Sequence, residues 1–177
     1  MSTRCQVAIV DSYTDPKRPL LFYRHSDGYP DGVRPTLDQF CEWLRQGQVR
    51  DDPQQAAGWL VALGMQEYAE NHVPDLAHSR PSDRRSDSET VLQNMRLMEF
   101  SPKEYWKIGA YEPSCNWQTD IEWLHIVDVE GGGRAFWVSH QVMWSPDDNL
   151  IIHICEKFIR EHLLTTRGGL KPFQEEE

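Results

Sequence analysis

The run from Leu20 to Gly32, LLFYRHSDGYPDG, restricts the fold more than any other stretch of the chain. Leu20, Leu21, Phe22 and Tyr23 have the makeup of a buried strand, and they lead straight into Arg24, His25 and Asp27. Gly28, Pro30 and Gly32 then force the backbone to turn. The rest of the chain must accommodate a core strand that ends in titratable side chains on a rigid turn. Binding and catalytic groups are often built in such places.

The segments around this run predict an α+β domain. Cys5 to Val10 is a first strand rich in β-branched residues, and the loop from Asp11 to Pro19 is short enough to make it an antiparallel partner of Leu20 to Arg24. Pro35 and Thr36 open a helix, with Thr36 and Gln39 at capping-box spacing and Leu37, Phe40, Cys41 and Leu44 on one stripe; Gly47 closes it. A second helix starts at Asp52-Pro53 and places Ala56, Trp59, Leu60 and Leu63 on an apolar face, with Gly64 as a potential early stop and Glu70 as its far limit. Residues 71–90 are polar and read as a long surface loop, followed over 90–100 by a short helix or an irregular packed segment.

Three strands and a helix complete the pattern. Tyr105 to Glu112 is a strand broken by Pro113, and Asp120 to Val129 is a longer one. Gly131 to Gly133 turns the chain, and Ala135 to Val142 returns. Both faces of the 120–129 segment carry apolar residues, as a central strand requires. Ser145-Pro146 starts the last helix, whose stripe runs through Ile151, Ile154, Cys155, Phe158 and Ile159. The order β-β-α-α-loop-β-β-β-α predicts a mostly antiparallel sheet of about five strands with helices packed on one face. Residues 1–167 form a single domain and 168–177 a flexible tail.

Composition narrows function by exclusion. The 177 residues carry 18 basic and 28 acidic side chains, a net charge of −10. Such a surface repels phosphate backbones, which disfavours direct nucleic-acid binding and suits a protein partner with a basic surface. No apolar run is long enough to span a membrane, and the N-terminus lacks the apolar region of a signal peptide, so a soluble cytoplasmic protein is expected. Cys5, Cys41, Cys115 and Cys155 form no C-x-x-C pair and read as reduced core residues.

Arg24, His25 and Asp27 are the one compact group with a catalytic vocabulary. Alternation along an extended chain would place His25 beside Asp27, the arrangement of a general base and its orienting carboxylate, and Arg24 could clamp an anion. The plainer alternative has Asp27 bonding turn amides while Arg24 and His25 anchor the turn. No nucleophile or phosphate loop accompanies the group. His125 and His140 lie on paired strands and His25 could approach them, but the seven His have no metal-ligand spacing, so neither a metal nor a cofactor is expected. Trp117 and Trp144 flank loops and, with Tyr29, are candidates for a binding patch.

The stretch Tyr23-Arg24-His25-Ser26-Asp27-Gly28-Tyr29-Pro30-Asp31-Gly32 resembles small proteins of bacteriophages, mobile elements and bacteria that carry an H-x-D-G-Y-P signature after an early strand. Those proteins also tend to have a later Asp-Ile-Glu-aromatic strand, matched here by Asp120 to Trp123. Many have Trp where Ser26 stands. The resemblance implies a phage or mobile-element setting and transfers no mechanism. Together these features predict a non-enzymatic acidic binding protein that antagonises a host protein or nucleoprotein complex. The alternative is a small hydrolase or a nucleotide- or phosphate-binding enzyme using His25 and Asp27.

Overall fold

The computed structural model describes residues 3–72, 111–130, 134–142 and 148–163. Among them run β1 (Cys5–Val10), β2 (Leu20–Arg24), α1 (Pro30–Arg45), α2 (Pro53–His72), β3 (Glu112–Ser114), β4 (Trp123–Asp128), β5 (Phe136–Gln141) and α3 (Asp148–Phe158). A π-helical turn, Ile159–Leu163, extends α3. The fold is α+β, built on one five-stranded sheet in the order β3-β2-β1-β4-β5. β1 pairs antiparallel with β2 and parallel with β4; the β2–β3 and β4–β5 pairs are antiparallel.

The sequence of β1 explains its central position. All six of its residues are buried, because both edges are paired and both faces are covered. Cys5, Val7 and Ile9 point into a core with Val33, Leu37, Phe40 and Leu44 of α1 and Ala56, Leu60 and Leu63 of α2. Ala8 and Val10 point the other way, into a core with Leu124 and Ile126 of β4 and Ile151, Cys155 and Phe158 of α3. The third helix therefore covers the opposite face, and the expectation of helices on one face is corrected. An amphipathic stripe states that a helix packs, not which side of a two-sided sheet it packs on.

Several local expectations also shift. α1 begins at Pro30, not at Pro35. Proline at the first helical position suits a helix start, since its missing N–H would have had no intrahelical partner. Thr36 consequently lies inside the helix, buried, and is not a cap. The other helix start is as expected: Asp52 Oδ1 accepts from the amides of Gln54 (3.1 Å) and Gln55 (3.0 Å). Gly64 does not stop α2, which takes in the first two residues of the expected 71–90 loop. Trp59 is 44 % exposed at the margin of its face, edge-on to Trp43. Cys5, Cys41 and Cys155 are buried free thiols, whereas Cys115 is exposed.

β3 is short, contains Pro113 and lies at the sheet edge, where the missing proline N–H costs no ladder bond. Of the expected 105–112 strand, Tyr111 lies just outside β3; residues 105–110, residues 73–100, the Gly131–Gly133 turn, Trp144, the Ser145-Pro146 cap and the 168–177 tail lie outside the described residues. Among the described residues no helix is long and apolar enough to cross a membrane.

α2 offers a test of packing that needs no functional assay. Gly58 is exposed in mid-helix, and a Cβ built there meets nothing within 4 Å. Gly58→Ala should raise stability by about 1 kcal/mol, the difference in helix propensity. A urea midpoint that falls on substitution would show that α2 is packed more closely there than described.

The candidate functional site

The turn between β2 and α1 is held from three directions, and each hold engages a residue of the Leu20–Gly32 run. Arg24, the last residue of β2, is only 2 % exposed. Its Nη1 and Nη2 donate to the two carboxylate oxygens of Glu67 on α2 (2.8 and 2.7 Å), and its Nε donates to the Ser26 carbonyl (2.9 Å). The Tyr111 ring lies against the guanidinium, 5.2 Å from Cζ to centroid. The Thr36 hydroxyl donates to the same Glu67 carboxylate (2.9 Å). Burial works against the charge on Arg24, but the Glu67 hydrogen bonds more than offset it and hold the guanidinium more firmly protonated than usual.

Gly28 supplies the second hold. Its amide donates to the Thr3 carbonyl (2.9 Å), and it lies so close to β1 that a Cβ would stand 2.7 Å from the Cys5 nitrogen. Only glycine permits that approach. The third hold is His125 on β4, fully buried, whose Nε2 is 2.8 Å from the Gly28 carbonyl. A carbonyl can only accept, so Nε2 carries the proton, and Nδ1 accepts from the Ser139 hydroxyl at 2.8 Å. Burial is the largest cause pushing His125 down, to about 4, with the nearby Arg24 charge adding to it. His125 is thus a neutral, doubly bonded core histidine, stacked on Trp123 and edge-on to Trp137.

The outward side of the turn has a different character. Asp27 is exposed and is the one non-glycine residue with positive φ (53°) among the described residues. Aspartate tolerates that left-handed conformation better than most residues, though glycine would adopt it without strain. His25 is exposed, and the Tyr23 hydroxyl, rather than Asp27, lies 3.1 Å from its Nδ1. Tyr29, 43 % exposed, precedes α1 and accepts the first helical amide bonds through its carbonyl.

The sequence-identified residues therefore divide into two groups. Arg24 points into packed protein and is consumed by Glu67, so it is not placed to clamp an anion. His25, Asp27 and Tyr29 face solvent. Trp117 is half-buried against the core that contains α3. His125 and His140 do not converge: His125 pairs with Ser139 and His140 with Leu124, which puts the two rings on opposite sheet faces. Among the described residues no group of three His, Cys, Asp or Glu side chains is arranged to hold a metal.

Sequence reasoning missed Glu67, which pairs with Arg24 across 43 residues and accepts from Thr36 across 31, separations that leave no local signal. It also missed Gln6, buried in β1, which holds the segment after β3. Its Nε2 donates to the Asn116 carbonyl (2.9 Å), and its Oε1 accepts from the Gln118 amide (2.9 Å). A polar residue inside an otherwise apolar strand was the available clue, because buried amides need partners. Comparison with protein-family models, with curated proteins and with solved structures finds no match.

Proposed function

We propose that the chain is a non-enzymatic acidic binding protein that presents the outward side of the β2–α1 turn to a protein partner with a basic surface. One observation carries the reading. Arg24, immediately before the signature, is turned inward and neutralised by Glu67, while Asp27 and the ring of Tyr29 are left outside on a turn fixed by three internal holds. A rigid loop bearing an aromatic and a carboxylate loses little freedom on binding.

The charge distribution supports the same reading. Arg4, Arg24, Arg34, Arg45 and Arg50 each sit in an ion pair with a carboxylate, so five of the 18 basic residues are already matched within the protein. The surplus that makes the net charge −10 is left to set the external field. The resemblance at Tyr23 to Gly32 suggests a host protein or nucleoprotein complex as the class of partner. For the hydrolase alternative no comparable support exists, because the arginine it would use for a phosphate is committed to Glu67.

Asp27→Asn and Tyr29→Ala test the proposal. Asparagine tolerates positive φ, so Asp27→Asn should change stability by less than about 1 kcal/mol while removing the charge. A basic partner should be recovered from host lysate at low salt by the unaltered protein and released as salt rises, since exposed charges are screened. Recovery should fall at least about tenfold with each variant. Equal recovery by both variants, or no basic partner at low salt, overturns the reading.

A further inference from the structure

A cavity lies on the α3 face of the sheet, between β5 and α3 with its π-helical extension. It has a volume of about 390 Å³, within the range of small-molecule sites. Val138, Ile154 and Phe158 form its apolar wall, and Phe158 stacks at a tilt with His162 (5.1 Å between centroids). His140, His153, Lys157 and His162 bring three imidazoles and an ammonium to the same space, against one carboxylate, Glu161. The His140 Nε2 is buried and has no hydrogen-bond partner among the described residues.

We propose that this cleft binds a small organic anion with an apolar, ring-sized body, of the aryl carboxylate class. The unpartnered imidazole nitrogen needs a polar counterpart, because a buried polar atom without one is costly. A cation is disfavoured by Lys157, and an apolar molecule would leave Nε2 as it is. A carboxylate oxygen accepts from an Nε2–H and meets the Lys157 ammonium, while the ring rests on Val138, Ile154 and Phe158. Independent support comes from His140 itself: burial lowers its affinity for a proton, and the His162 and Lys157 charges lower it further. A bound anion reverses the sign of that field. His140 shares a cross-sheet row with Leu124, Gln6 and Tyr23, three strand spacings or about 14 Å from β2, so this site is separate from the β2–α1 turn.

The probe is phenylacetate, titrated into the full chain while NMR follows the histidine ring nitrogens. Saturable shifts at His140 are expected, with a Kd of about 1 mM, the scale open to so small a ligand. His140 should protonate at higher pH when the probe is bound. The neutral isostere phenylacetamide should bind about tenfold more weakly, and Lys157→Gln, an exposed change, should weaken phenylacetate about fivefold. His140→Gln should abolish binding; if it fails to fold, Lys157→Gln carries the comparison. Equal affinity for acid and amide, indifference to Lys157→Gln, or no saturable His140 shift at 20-fold the expected Kd would each overturn the proposal.

Discussion

Replacing Glu67 with alanine destabilises the protein by about 3–5 kcal/mol, the usual consequence of stranding a buried charge. The loss comes from what stays behind. Arg24 is 2 % exposed and Glu67 25 %, so the guanidinium loses two carboxylate oxygens at 2.8 and 2.7 Å where solvent has little access, and Thr36 loses its acceptor as well. Removing both charges, with Arg24→Met beside Glu67→Leu, should recover most of the loss, because a buried pair is often replaceable by apolar residues of similar volume. A double-mutant cycle read by urea denaturation measures the coupling directly. A single-variant loss under about 1 kcal/mol would mean that solvent reaches the guanidinium and the pair behaves like a surface bridge.

Acidification is the second large effect, and its sign follows from His125. In the unfolded chain this imidazole titrates near 6.5, whereas in the folded protein burial holds it down to about 4. Above pH 6.5 both states are neutral and stability is complete. Between 6.5 and 4 the unfolded chain takes up a proton that the folded protein refuses, so stability falls as pH falls. The shift corresponds to about 3 kcal/mol, most of it lost by pH 4, and the remaining slope dies away below that. His140, also pushed down chiefly by burial, tilts the profile in the same direction. His125→Phe should be weaker at pH 8, where it leaves the Gly28 carbonyl and Ser139 hydroxyl without their partner, yet its profile should be flatter from pH 6.5 to 4. Parallel profiles for the two proteins would remove His125 as the source.

What the sequence made legible was local. Asp52-Pro53 announced a helix start because capping is a matter of two or three adjacent residues, and β1 announced itself by composition. The start of α1 was obscured because Gly28, Pro30 and Gly32 carry turn signals on both sides of the true boundary. Gly32 belongs to the helix, where a Cβ would collide with the Asp27 carbonyl oxygen. Pro35-Thr36 imitates a helix start so closely because threonine, which here reaches Glu67, is also a residue type that caps helices. For the site, the inward role of Arg24 required knowing that α2 would bring Glu67 across β2, and no periodicity encodes that. His125 was the intermediate case. Its type and its place on an apolar strand face favoured a bonded core histidine, while its bond to Gly28 depended on the parallel pairing of β1 with β4.

That parallel pairing also sets a schedule. Cys5 pairs in register with Trp123, 118 residues later, and β1 is the middle of the sheet rather than an edge. During synthesis at about 5–20 residues per second, β1 is finished roughly 6–24 s before its parallel neighbour leaves the ribosome. Through that interval β1 can pair with β2 and receive α1 and α2, but the N–H and C=O groups of its other edge have no native partner. Antiparallel β4–β5 pairing must then add as a unit to a half-finished sheet, a closure of high contact order that slows the final step. The N-terminal half is accordingly the part of the nascent chain most in need of a chaperone, and truncations ending before Trp123 should accumulate as aggregates rather than as a smaller folded domain.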